Sequence, residues 1–122
     1  MIRLYSTILV PIDGSGGAEG VVSRAFDFAR TFGAAVHVLY VIDTGAEPTG
    51  LGDQQRDEFR RPSEKRGRWV TARVHERATE LDLEATRAVH EGVPYRTILE
   101  YADEHGVDLS VCPLSVWLGR CE

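Results

Sequence analysis

Thr7-Ile8-Leu9-Val10-Pro11-Ile12, running into Asp13-Gly14-Ser15-Gly16-Gly17, decides the fold. A short apolar run without alternation, Ile8 to Ile12, predicts a strand buried on both faces. Pro11 cannot donate to a ladder, so it belongs near the strand's end. The glycines and Ser15 then make a turn. From Ala18 to Phe32, Val22, Ala25, Phe26, Ala29 and Phe32 recur at three- and four-residue intervals, which predicts a helix with one apolar stripe. Gly33 ends it. Ala35 to Ile42 is β-branched and aromatic, a second buried strand. Strand, helix and strand in such a short span form a βαβ unit, with parallel pairing and a right-handed crossover.

Further along, Gly45, Pro48, Gly50 and Gly52 break any period, and charge dominates Asp53 to Arg61. We expect a flexible loop over 44–61, with at most a short helix at its end. Pro62-Ser63-Glu64 reads as a helix start, and that helix carries to Leu81. Leu83 to Val89 alternates and predicts an exposed or edge strand. Gly92-Val93-Pro94 is a turn, Tyr95 to His105 a helix capped by Gly106, and Val107 to Cys112 a fourth strand. The expectation is one α/β domain over 1–122 with a doubly wound parallel sheet. The residues from Cys112 to Glu122 break the pattern and form an atypical tail.

The chain has 122 residues and a net charge of −5, which disfavours a nucleic-acid partner. No apolar run approaches the ~18 residues of a membrane span. The N-terminus lacks the apolar core of a secretory signal, so a cytoplasmic setting is expected. Cys112 and Cys121, the two cysteines, supply neither a disulfide framework nor a zinc set. His37, His75, His90 and His105 share no metal spacing, and no Ser/His/Asp arrangement stands out.

The turn after the first strand is where open parallel sheets bind ligands. It is not a P-loop, because no Gly-Lys-Ser/Thr follows, and counting from Gly14 the dinucleotide fingerprint fails at Glu19. A carboxylate at Asp13 would repel a pyrophosphate on the same helix N-terminus. It suits a ribose hydroxyl or an amino group. Asp13 or Ser15 equally suits helix capping.

Three segments together resemble the universal stress protein family. They are Thr7 to Ser15, His37-Val38-Leu39-Tyr40-Val41-Ile42-Asp43, and Glu91-Gly92-Val93-Pro94 through Ile98-Leu99-Glu100-Tyr101-Ala102 to Leu109. The resemblance implies an adenine nucleotide alpha hydrolase-like sheet in the order 3-2-1-4-5, with ATP bound by many members. Carried onto this chain, Pro11, Ile12 and Asp13 would face ribose and adenine. The Val41 backbone would hold the adenine edge. Cys112-Pro113 stands where the family's phosphate-binding Met-Gly begins, and Pro113 has no N–H to offer. The resemblance thus implies order 3-2-1-4 with the fifth strand missing or replaced. Weak binding of ATP or AMP is expected, with Mg only as the companion of ATP. A homodimer is expected too, and at most a weak ATPase. The alternative is a structural or interaction module of the same fold without nucleotide.

Overall fold

The computed structural model describes residues 7–12, 18–44, 49–112 and 115–118. Strand β1 (Thr7–Ile12), helix α1 (Ala18–Phe32) and strand β2 (Ala35–Asp43) open the chain. Helix α2 (Asp53–Glu80), strand β3 (Ala85–Gly92), helix α3 (Pro94–Glu104), strand β4 (Leu109–Cys112) and strand β5 (Ser115–Leu118) follow. One sheet takes the order β3-β2-β1-β4-β5. Three parallel pairings join β3 to β2, β2 to β1 and β1 to β4, while β5 runs antiparallel to β4.

Side chains alternate across the sheet, and both faces are covered, as the unbroken apolar runs require. Ile8, Val10, Ile12, Val36, Val38, Tyr40 and Ile42 pack against α1 and against Val74 and Ala78 of α2. Leu9, Leu39 and Val41 pack on the other face against Tyr101 and Ala102 of α3. β3 is an edge strand, as its polar alternation predicts.

Pro11 sets where one ladder stops. Asp108 N–H donates to the Thr7 carbonyl at 3.0 Å, so odd-numbered residues of β1 turn their backbone groups towards β4. Pro11 is on that side and has no N–H to give. The register with β4 ends at Leu9 opposite Ser110, whereas that with β2 runs on to Ile12 opposite Tyr40.

One expectation changes and one is resolved. The loop foreseen over 44–61 yields at Asp53, where α2 begins nine residues before Pro62. The start signal is Gly52, whose N–H donates to Gln55 Oε1 at 3.0 Å while its carbonyl accepts from Arg56 N–H at 2.9 Å. Pro62 and Glu58, whose carbonyl is the one a helical N–H at position 62 would have met, are both exposed. Secondly, of the two outcomes expected for the fifth strand, missing or replaced, the second holds: an antiparallel strand stands within the atypical tail. It comes from the same chain, after only two intervening residues, and covers the β4 edge that the sequence left open.

α2 also comes unusually close to the sheet. A Cβ placed on Gly67 would lie 2.6 Å from Tyr40 Cδ1. Thr71, fully buried, returns its hydroxyl to the Gly67 carbonyl at 2.7 Å. His75 donates through Nε2 to the Ala85 carbonyl at 3.0 Å and ties α2 to β3, which gives that histidine a structural role.

Candidate functional site

The topology locates a crevice. From β1 the chain proceeds to β2 on one side, and it returns to β4 on the other. Helices α1 and α2 accordingly cover one face and α3 the opposite face. The reversal between β1 and β4 is the switch point of an open parallel sheet, and ligands bind there beyond the carboxyl ends of the strands.

Pro11 and Ile12 sit at that end of β1, both buried. Cys112 ends β4, opposite Ser115 of β5 and two residues past the last pairing of β4 with β1. Val41 belongs to β2, which projects beyond Ile12 by Val41, Ile42 and Asp43. Asp13 and the turn through Gly17 lie outside the described residues. The structure therefore gathers Pro11, Ile12, Val41 and Cys112 on the carboxyl ends of three adjacent strands.

Val41 can offer only its backbone. Its side chain is 2% exposed and packs with Leu39, Tyr101 and Ala102. The Val36 N–H donates to the Glu84 carbonyl at 2.8 Å, beside β3. Backbone groups alternate sides along a strand, so those of even-numbered residues in β2 face β3 and those of odd-numbered residues face β1. The Val41 backbone thus faces β1; in the parallel register its N–H belongs to the pairing of Ile12 with Tyr40, and its carbonyl is the group that lies past the last registered pair.

One strand further out, a cleft of about 400 Å³ opens between α2 and the ends of β2 and β3. Ile42, Glu64, Arg68, Val89, His90 and Glu91 line it. At its rim Arg60 Nη1 approaches Glu91 Oε2 at 3.2 Å. Carboxylates and guanidinium groups balance, so the cleft favours no strongly charged ligand. Sequence reading missed it, because Arg60 and Glu91 are 31 residues apart and only the packing of α2 on β3 unites them.

Beneath Val41, the α3 face holds a second grouping. Tyr101, 2% exposed, has its hydroxyl 2.7 Å from His37 Nδ1. Its ring stacks on His105 at 4.0 Å and meets His90 edge-on at 5.4 Å. Burial chiefly, and then the charge of His105, lowers the pKa of His37, with Glu84 opposing. Burial raises that of Tyr101. A neutral imidazole and a protonated phenol share this hydrogen bond. Three histidines with no shared spacing are thereby brought together. Among the described residues no group of three His, Cys, Asp or Glu side chains is arranged to hold a metal. No helix among them is long and apolar enough to cross a membrane.

Comparison with known proteins agrees with this architecture. The profile of the Universal stress protein family matches residues 4–114. Universal stress protein MJ0531 of Methanocaldococcus jannaschii is 27% identical over 109 residues, 89% of this chain and 64% of that protein. The chain thus spans under two thirds of that relative. Universal stress protein YxiE of Bacillus subtilis is 29% identical over 115 residues, 88% of this chain and 78% of that protein. Among solved structures, universal stress protein UspA from Lactobacillus plantarum superposes with a TM-score of 0.80 at 26% identity, covering 91% of this chain and 77% of that one. A universal stress protein in complex with cAMP shares the fold, with a TM-score of 0.64 at 23% identity over 87% of this chain and 74% of that one. With the switch point, the sheet order and this match over most of its length, the chain belongs to the universal stress protein family.

Proposed function

We propose that this chain is a cytoplasmic stress-response protein that binds the adenosine part of an adenine nucleotide and gains little from its phosphates. The observation that carries the reading is the Val41 backbone, whose carbonyl points towards β1 beyond the last registered pair. The amino group on an adenine edge is a complementary donor. Asp13 would accept from the ribose hydroxyls. A relative of the same fold solved with cAMP supports an adenine nucleotide as the ligand class.

The weak phosphate contribution follows from β4 and β5. Phosphate sites in such sheets use backbone N–H groups and the N-terminus of the helix after the strand. Here two residues separate Cys112 from Ser115, one of them a proline, and no crossover helix fits between β4 and β5. Binding and regulation, without turnover, is the role that this arrangement serves.

Calorimetric titration with adenosine, AMP and ATP plus Mg tests the reading. A ligand that binds the native state raises the melting temperature. Similar weak affinities for all three are expected. Affinity that climbs steeply with phosphate number would refute the impaired phosphate site. No binding of any would leave the interaction module as the function.

A further inference from the structure

Tyr101 stands among three histidines from three parts of the fold. Its hydroxyl bonds His37 Nδ1 of β2 at 2.7 Å, its ring stacks on His105 at 4.0 Å, and His90 of β3 meets it edge-on at 5.4 Å. The His37 and His105 rings are themselves 5.3 Å apart. His37 is half-buried, and His105 caps the C-terminus of α3. Histidine gains its charge as pH falls from about 8 to 5, so acid gathers like charges around one buried ring.

His37 senses whether α3 is seated. Burial chiefly, then the charge of His105, makes it harder to protonate in the folded protein. Once α3 leaves the sheet both causes go, and the imidazole takes its proton at the ordinary value. Uptake of that proton therefore favours the open arrangement as pH falls. Glu84, before β3, opposes this but ranks below burial and His105.

The remaining charged groups around the cluster leave the balance as it is. β1 presents Leu9, and beside it the Asp108 carboxylate accepts the Thr7 N–H at 3.0 Å. Asp43 shares the face but lies at the far end of β2, six residues beyond His37. On β3, Arg87 donates to the Arg68 carbonyl and Glu91 pairs with Arg60, both on the opposite face. Arg96, Glu100, Asp103 and Glu104 of α3 are exposed, where salt screens them.

α3 can move by itself. Its 11 residues fall short of the roughly 12–15 that sustain a helix alone, so it depends on the sheet. The core it makes with Leu9, Leu39 and Val41 is separate from the larger one beneath α1 and α2. On that other face His75 donates through Nε2 to the Ala85 carbonyl, a bond that a charged ring keeps.

We propose that the histidine cluster makes α3 an acid-released cover: protonation frees the helix and bares Leu9, Leu39 and Val41, while α1, α2 and the sheet stay folded. Local openings of this kind lie below the global unfolding energy and are read by amide exchange.

Hydrogen exchange of the full chain between pH 8 and pH 5, followed by mass spectrometry, tests the proposal. Each rate is divided by that of an unstructured peptide of the same sequence at the same pH. Protection of α3 should fall by about tenfold from pH 7 to pH 5, and that of α1 and β2 should stay within about twofold. His37→Gln should remove most of the fall. His105→Gln, at an exposed position, should lessen it by taking away the neighbouring charge. Protection of α3 that does not vary with pH overturns the proposal. So does a loss shared by α1 and β2, which is global unfolding, or an acid response that persists in full in both variants.

Discussion

The Tyr101 hydroxyl and the His37 imidazole meet at 2.7 Å across 64 residues of sequence, joining the middle of α3 to the start of β2. Around the pair stand His105, His90 and, from the segment before β3, Glu84. His37 is harder to protonate in the folded protein than in the unfolded chain, so folding opposes its protonation. Its contribution to stability is therefore complete above the ordinary histidine pKa of 6.5 and is lost as pH falls below that value. Melting temperatures measured between pH 8 and pH 5 should decline on the acid side. His37→Gln should flatten that decline relative to wild type; an equal acid loss in the variant would discharge His37 from the effect.

Tyr101→Phe keeps the ring and its stacking on His105 but removes the hydroxyl that bonds Nδ1. A buried hydrogen bond of this kind contributes about 0.5–1.5 kcal/mol, and the partner left unsatisfied adds to the loss. Denaturant unfolding should show a destabilisation of about 1–2 kcal/mol. A neutral result would mean that water replaces the hydroxyl at no cost.

Gly67→Ala sets helix propensity against packing. In an exposed helix the change would stabilise by about 1 kcal/mol. Here the new methyl would collide with the Tyr40 ring, and overpacking of a core costs about 1–3 kcal/mol. We expect net destabilisation in urea. Gly67→Ala with Tyr40→Leu should recover part of it, because the second change makes room.

Glu91→Gln removes the ion pair with Arg60 at the rim of the cleft. Both side chains reach solvent, and exposed pairs are worth about 0–1 kcal/mol. Stability should move by less than about 0.5 kcal/mol in chemical denaturation. A larger loss would show that Arg60 depends on Glu91 for its position.

Asp13→Ala should remove the thermal shift produced by adenosine, measured against the variant's own ligand-free melting temperature. If the shift survives, the ribose is held elsewhere.

The parallel core was readable because strands buried on both faces leave an unbroken apolar signature, and Thr7 to Ile12 and Ala35 to Ile42 both carry it. α1 announced itself through Val22, Ala25, Phe26 and Ala29. The start of α2 did not. Pro62 followed by Ser and Glu imitates an N-terminus, while the true one rests on Gly52 and Gln55, a weaker pattern within a charged stretch. β5 was legible only as a replacement strand, because the family's phosphate segment is lost while Val116, Trp117 and Leu118 are compatible with a strand. Of the candidate site, Pro11, Ile12 and Val41 were legible as strand ends. The histidine cluster was not, because His37, His90 and His105 lie on three elements whose proximity only the packing of α3 creates.

The return strand β5 also bears on the order of assembly. β4 and β5 are separated by two residues and can pair within about 1–10 μs, as isolated hairpins do. The pairing of β1 with β4 joins Thr7 to Asp108 and must wait for a loop of about a hundred residues to close. The C-terminal strands can therefore arrive at the nascent sheet as a finished unit, with docking against β1 the slow step. Pulse-labelled hydrogen exchange should then find the amides of β4 and β5 protected from each other before those of β1 are.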